Sequence, residues 1–256
     1  MTGLLLRLAG PLQSWGERSP FAAVRDSAAF PTRSGLIGMF AAAEGRTRDQ
    51  DLHPYADLEF TTRIDRPGLR LIDYHTVGGG LPDHLTAATS GGKHKGDAVI
   101  TRRHYLADAV FVVAVTGPAQ TIARIAKALH QPHWAPYLGR RSCIPDEPLL
   151  LRANTDDPIA ELRHRVPLSP RNPNPPGQSR GDTIPVEFLW EKPPASPSPG
   201  DVEVTVHDSP TSFAQHHRSH GKRRIYRTTE HLPASLSAAP TTLHTQLINY
   251  VQQVPA

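Results

Sequence analysis

Cysteine is nearly absent: Cys143 is the one thiol in 256 residues. That excludes an internal disulfide and any zinc site built from several cysteines. Cys143 itself reads as a small buried apolar side chain. No run of about 18 apolar residues occurs, so no membrane-spanning helix is expected. Met1-Thr2-Gly3 leads into an alternating segment and lacks the basic-then-apolar order of a signal peptide, which predicts a cytoplasmic protein with no membrane partner. A Walker-type loop, a G-x-G-x-x-G fingerprint and a serine nucleophile elbow are all missing. Lysine is scarce too, since only 5 of the 28 cationic side chains are Lys.

The other 23 are arginines, whose planar fork of donors pairs with phosphates and base edges and stacks on bases. An arginine excess is also what a GC-rich coding bias produces together with abundant Ala and Pro, so the net charge of +4 points to nucleic acid only through the positions it occupies. The 26 prolines and 19 glycines argue against a helical bundle. Ten prolines crowd residues 167–200, too many for regular structure.

Leu4, Leu6 and Leu8 alternate with Leu5, Arg7 and Ala9, which predicts a strand ending at Gly10-Pro11. Leu36, Ile37, Phe40 and Ala41 have helical spacing, with Thr32 or Ser34 as cap and Gly45 as terminator. Strands are expected at Leu58 to Asp65 and Leu69 to Tyr74, on either side of Pro67-Gly68. Val110 to Val115 reads as a central strand leading through Gly117-Pro118 into a helix carrying Ile122, Ile125, Ala126 and Leu129. Val186 to Trp190 and Val202 to Val206 are short strand candidates, and Leu243, Leu247, Tyr250 and Val251 mark a terminal helix. The order suits an α+β fold, a ferredoxin-like or RRM-like sheet with helices packed on one side.

Three segments are distinctive together: Leu6 to Gly16 (LRLAGPLQSWG), Phe30 to Gly38 (FPTRSGLIG) followed by Asp73 to Val77 (DYHTV), and Pro136 to Cys143 (PYLGRRSC). In order and spacing they resemble the CasD-type subunits of type I-E CRISPR Cascade, members of the RAMP superfamily. The resemblance spans roughly residues 4–150 and loosens near residues 216–229. It implies a ferredoxin-like RAMP domain over 1–150 with a protruding β-hairpin thumb at about 76–104, and a smaller β-rich part over 151–256. It also implies a subunit that holds the 5′ handle of crRNA and contacts the backbone subunit and the large PAM-reading subunit. Target DNA is then met only indirectly, and no cofactor or metal is expected.

Candidate RNA contacts follow. Thr32, Arg33, Ser34 and Gly35 stand at a helix N-terminus, where free N–H groups and partial positive charge suit phosphate, although a plain N-cap reads the same way. Gly139, Arg140 and Arg141 follow the aromatic Tyr137, in a loop where glycine permits close approach and paired arginines can grip phosphate. Gln13, Trp15 and Arg25 lie near the first strand; Trp15 can stack a splayed base or anchor its loop. Arg102 and Arg103 lie on the descending arm of the expected thumb. The run holding His216, His217, Arg218, His220, Lys222, Arg223, Arg224 and Arg227 is either a second nucleic-acid surface or a solvated strand pair. Tyr74 and His75 are read as structural or RNA-contacting. The alternative is a metal-independent endoribonuclease that processes pre-crRNA, with His75, Tyr74 and a lysine such as Lys93 as base, acid and cation.

Overall fold

Residues 2–16, 23–86, 98–169, 182–194, 198–214 and 217–253 are described in the computed structural model. Lys93, His216, the tip of the expected thumb at 87–97 and part of the Pro-rich stretch, at 170–181 and 195–197, lie outside them.

The alternating leucines form β1 (Gly3–Ala9), buried on both faces. Two short strands follow, β2 (Leu12–Gln13) and β3 (Val24–Arg25), and then α1 (Arg33–Ala43). Helix α1 begins at Thr32, whose side chain caps it, and stops before Gly45, whose φ of +74° reverses the chain. Strands β4 (Glu59–Arg66), β5 (Leu69–Val77), β6 (Val99–Ala107) and β7 (Val110–Thr116) lead into α2 (Ala119–His130). Beyond them run β8 (Leu150–Thr155), α3 (Pro158–His164), β9 (Thr183–Trp190), β10 (Val202–Ser212), β11 (Ser219–Pro233) and α4 (Leu243–Gln252).

The result is a mixed α+β fold with mainly antiparallel strands and few helices. Seven strands form one sheet in the order β10-β11-β9-β4-β7-β1-β8. The apolar run at 110–116 lies near its middle because both of its faces find cover. On one face Leu4, Leu6, Leu8, Phe111 and Val113 pack beneath Leu36, Ile37 and Phe40 of α1 and Ile122 and Ile125 of α2. On the other, Leu5, Val112 and Ala114 meet Leu162 of α3 and Leu247 and Tyr250 of α4. Strands β9 to β11 continue this sheet from the edge of β4.

Although β4 and β5 flank the Pro67-Gly68 turn, they do not pair with each other. β4 joins β7 and β9 in the large sheet, while β5 pairs in register with β6 from Leu69↔Ala107 to Val77↔Val99. β6 also carries β2 and β3, giving a second, four-stranded sheet.

Candidate nucleic-acid interface

The N-terminus of α1 is satisfied from within the protein. Thr32 Oγ1 accepts the Gly35 N–H at 3.2 Å, and the Arg33 N–H donates to Asp208 Oδ2 at 2.8 Å. A carboxylate of β10 therefore holds a place where a phosphate could sit on the helix end. The Arg33 side chain also turns inward. Its Nη1 donates to Leu58 O (2.9 Å) and Glu191 Oε2 (2.8 Å), its Nη2 to Tyr55 O and Ala56 O, and its guanidinium lies over Phe60 at 5.1 Å. Glu191 accepts in addition from Arg223 Nη1 (2.8 Å) and the Phe60 N–H (3.0 Å), and Arg223 closes a fork on Asp208 at 2.5 and 2.8 Å. Burial pushes the Glu191 carboxyl up, against the pull of Arg33 and Arg223. For Arg223 burial works against the charge, but Asp208 and Glu191 outweigh it and raise its pKa.

Loop 137–143 is a self-contained turn. Leu138 N–H donates to Cys143 O, Cys143 N–H to Arg140 O, and Ser14 N–H to Leu138 O at 3.0 Å, tying the turn to the first loop. Gly139 is required here twice over: its φ is +84°, and a Cβ would run into the Ser14 carbonyl oxygen. The turn delivers Arg140 onto the ring of Tyr105 (4.7 Å), with Nη2 on Arg25 O at 3.2 Å and Nη1 buried without a partner among the described residues. Arg141 stands exposed beside it. Cys143 is buried, and that burial pushes its thiol pKa up, as for an inert packing group.

Gln13 and Trp15 hold this region together from inside. Gln13 Nε2 donates to Leu8 O and Ala109 O, and its Oε1 accepts from the Trp15 indole at 3.0 Å. Trp15 is 0% exposed and packs so closely on Gly35 that a Cβ there would come within 2.8 Å of the ring. It is therefore placed as the loop's anchor, the alternative to a stacking platform.

Between these parts opens a cleft of about 290 Å³, lined by Ser14, Trp15, Gly16, Thr32, Ser34, Gly35, Gly139 and Arg140 together with Arg25, Asp26, Arg218 and His220. Seven of the candidate contacts singled out in the sequence (Trp15, Arg25, Thr32, Ser34, Gly35, Gly139 and Arg140) thus meet in one place. Arg218 and His220 complete it from β11 and the turn before it. Enclosure lowers the pKa of Arg218, and Arg48 adds to the effect. Enclosure and Arg218 together lower that of His220.

The remaining candidates lie on the β5–β6 ribbon, split between its faces. Directly paired residues share a face, and neighbours along a strand alternate. His75 pairs with Thr101 and Asp73 with Arg103, which is itself in register with Arg25 of β3; these belong to one face. His75 Nδ1 is 3.7 Å from Asp73 Oδ2 on it. Tyr74 and Arg102 pair on the opposite face, where Tyr74 is 62% exposed beside the exposed Ile72 and Ile100. Of the basic run, Arg224 pairs with Glu203 and Arg227 with Glu187, while Arg223 is sequestered as above. Arg48 carried no sequence signal; only the fold brings it near Arg218.

Residues 3–226 match the family model described as CRISPR-associated protein (Cas_Cas5). The chain is 37% identical over 182 residues to the CRISPR system Cascade subunit CasD of Escherichia coli (strain K12), covering 64% of this chain and 77% of that protein. It is similar to a chain of a solved CRISPR RNA-guided surveillance complex, with a TM-score of 0.86 and 44% identity over 98% of this chain and 100% of that one. A second similar structure, a Cas protein, has a TM-score of 0.60 and 27% identity over 93% and 98% of the two chains.

Proposed function

As the chain belongs to the CRISPR-associated Cas5 family, we propose that it is the non-catalytic crRNA-binding subunit of a type I-E Cascade complex. In this reading it grips the 5′ handle and links the backbone subunit to the large PAM-reading subunit in the cytoplasm. The observation that carries the reading is the cleft, which Arg25, Arg140 and Arg218 line together with Thr32, Ser34 and three glycines. Guanidinia give phosphates a planar fork of donors, and hydroxyls can meet ribose or base edges. A cleft of about 290 Å³ suits one nucleotide of a single strand rather than a duplex, which fits RNA recognition through splayed single-stranded segments.

The architecture supports the RAMP assignment. The succession β1, α1, β4, β7, α2, β8, the strand order β4-β7-β1-β8 and the placing of both helices on one face support reading the first part as ferredoxin-like. We take residues 1–150 as the RAMP domain and 151–256 as the β-rich part, although β8, which closes the sheet beside β1, begins only at Leu150 and so runs across that boundary. The β5–β6 ribbon is assigned as the base of the thumb. Its Tyr74 and Arg102 face, apolar and exposed, suits a neighbouring subunit; its His75, Arg103 and Arg25 face continues toward the cleft and suits RNA. Because Tyr74 and His75 point to opposite faces, they are poorly placed to act as acid and base on one phosphate, which supports the non-catalytic reading.

Co-purification of the chain with crRNA and the other subunits tests the assignment. Changing Arg140 and Arg141 together to Ala is expected to release the handle and weaken assembly. Intact handle binding and assembly in that double variant would overturn it. Specific cleavage of repeat RNA in EDTA, abolished by His75→Ala, would instead establish the endoribonuclease.

A further inference from the structure

The run from 217 to 229 looks like one basic surface in sequence, but the fold sorts it into three environments. Arg223 is sealed into the Arg33–Glu191–Asp208 cluster. Arg224 and Arg227 have carboxylates of neighbouring strands, Glu203 and Glu187. Arg218 and His220 line the same cleft as Arg140 and Arg25. The turn that carries Arg218 is seated on α1: its guanidinium lies 5.9 Å from the ring of Phe213, which in turn packs beside Gly38.

Arg48 repels Arg218, and among the described residues the Tyr137 phenol acts against that repulsion. Asp208, the carboxylate that acts on neighbouring His220, is already committed to Arg223 and the Arg33 N–H. Arg140, which lines the same cleft, lies on the ring of Tyr105 and donates through Nη2 to Arg25 O. Asp26 also lines the cleft, on the Arg25 side. Two cations therefore line one cleft, one from the turn before β11 and one from loop 137–143. A bridging anion relieves the like-charge crowding there, to which Arg48 adds at Arg218.

We propose that the β10–β11 hairpin is the second wall of the RNA cleft, with Arg218 and Arg140 holding one phosphodiester of a single strand between them. This rests on the RNA-binding reading above and adds to it the C-terminal wall and the residue on it that acts. Arg218 contributes to RNA affinity, while Arg224 and Arg227, a few residues away in the same strand, do not.

The test uses the full chain and a labelled single-stranded oligoribonucleotide of the cognate handle, with affinity measured by fluorescence anisotropy over a range of salt. Arg218→Ala is expected to weaken binding roughly tenfold and to reduce the log–log salt slope by about 0.7, one phosphate contact on a single strand. Arg218→Lys is expected to restore most of the slope. An Arg224→Ala/Arg227→Ala double variant is expected to bind as the parent does. The melting temperature of Arg218→Ala should match the parent's, since no carboxylate loses its partner. If Arg140→Ala weakens binding and Arg218→Ala does not, the second wall is refuted and the RNA-binding reading stands. If neither does, the reading itself falls. Equal losses from the 224/227 variant would also refute the proposal, since they would reflect net charge alone.

Discussion

Glu191→Gln removes one charge from the four-membered cluster that joins α1 to β10 and β11 while keeping its shape. Glu191 accepts from Arg33, Arg223 and the Phe60 N–H, and its side chain and those of both arginines are 12–16% exposed. Deleting one partner of a buried ion pair costs about 3–5 kcal/mol because the other charge is left uncompensated. Two features lower that figure. Asp208 still neutralises Arg223 through two bonds, and burial already raises the Glu191 pKa, so desolvation offsets part of the attraction. The expected loss is therefore about 2–3 kcal/mol. At about 2–4 °C per kcal/mol for a chain of this size, the melting temperature should fall by about 4–12 °C. Thermal unfolding followed by circular dichroism, with urea midpoints as a second measure, reads the change. An unchanged or raised melting temperature would refute the reasoning, because it would mean that desolvation cancels the whole attraction. Adding Arg33→Met to the variant should cost less than the two single changes together, since the pair is removed as a unit.

Gly139→Ala must place a Cβ against the Ser14 carbonyl in a left-handed backbone that alone costs about 1–2 kcal/mol, so urea unfolding should show at least that loss together with weaker RNA binding. Arg63 is 0% exposed and serves Asp65 and three carbonyls; Arg63→Ala should destabilise by about 3–5 kcal/mol in the same assay, and Arg63→Ala/Asp65→Ala by less than the two singles summed. His220 is held below its ordinary pKa, so its neutral form favours the folded state. Its contribution is intact above the unfolded value of about 6.5 and is lost as pH falls through the lower folded value. Melting temperatures measured from pH 7 downward should therefore decline less steeply in His220→Gln than in the parent.

Much of the first half was legible because its signals are local. Alternating leucines, a threonine cap and a seven-residue apolar run specify β1, α1 and β7 without reference to anything distant. Strand β8 and helix α3 were not anticipated: β8 alternates weakly around Arg152 and Asn154, and α3 has only 7 residues. The candidate site was legible as a set of residue types at loops and a helix end, and seven of them meet in the cleft. Arg33 shows where such reading stops. Its place beside the cap fits a phosphate grip as well as a buried ion pair, and the choice depends on Glu191 and Asp208, more than 150 positions away in sequence. The same holds for the basic run, where pairing partners on adjacent strands decide which arginine is spent and which faces the cleft.

The aspartate on the first N–H of α1 has a consequence for dissecting the chain. Asp208, Glu191 and Arg223 all lie beyond residue 150, whereas Arg33 and the helix they complete lie before it. A fragment ending at residue 150 would keep α1 and α2 over one face of the sheet but lose β8, α3 and α4, exposing strand edges on β1 and β4, the Leu5, Val112 and Ala114 face, and a helix end stripped of its anion. Such a fragment should be recovered in soluble form only when the remaining half is supplied alongside it, so that two separately expressed pieces would behave as a complementing pair rather than as independent modules.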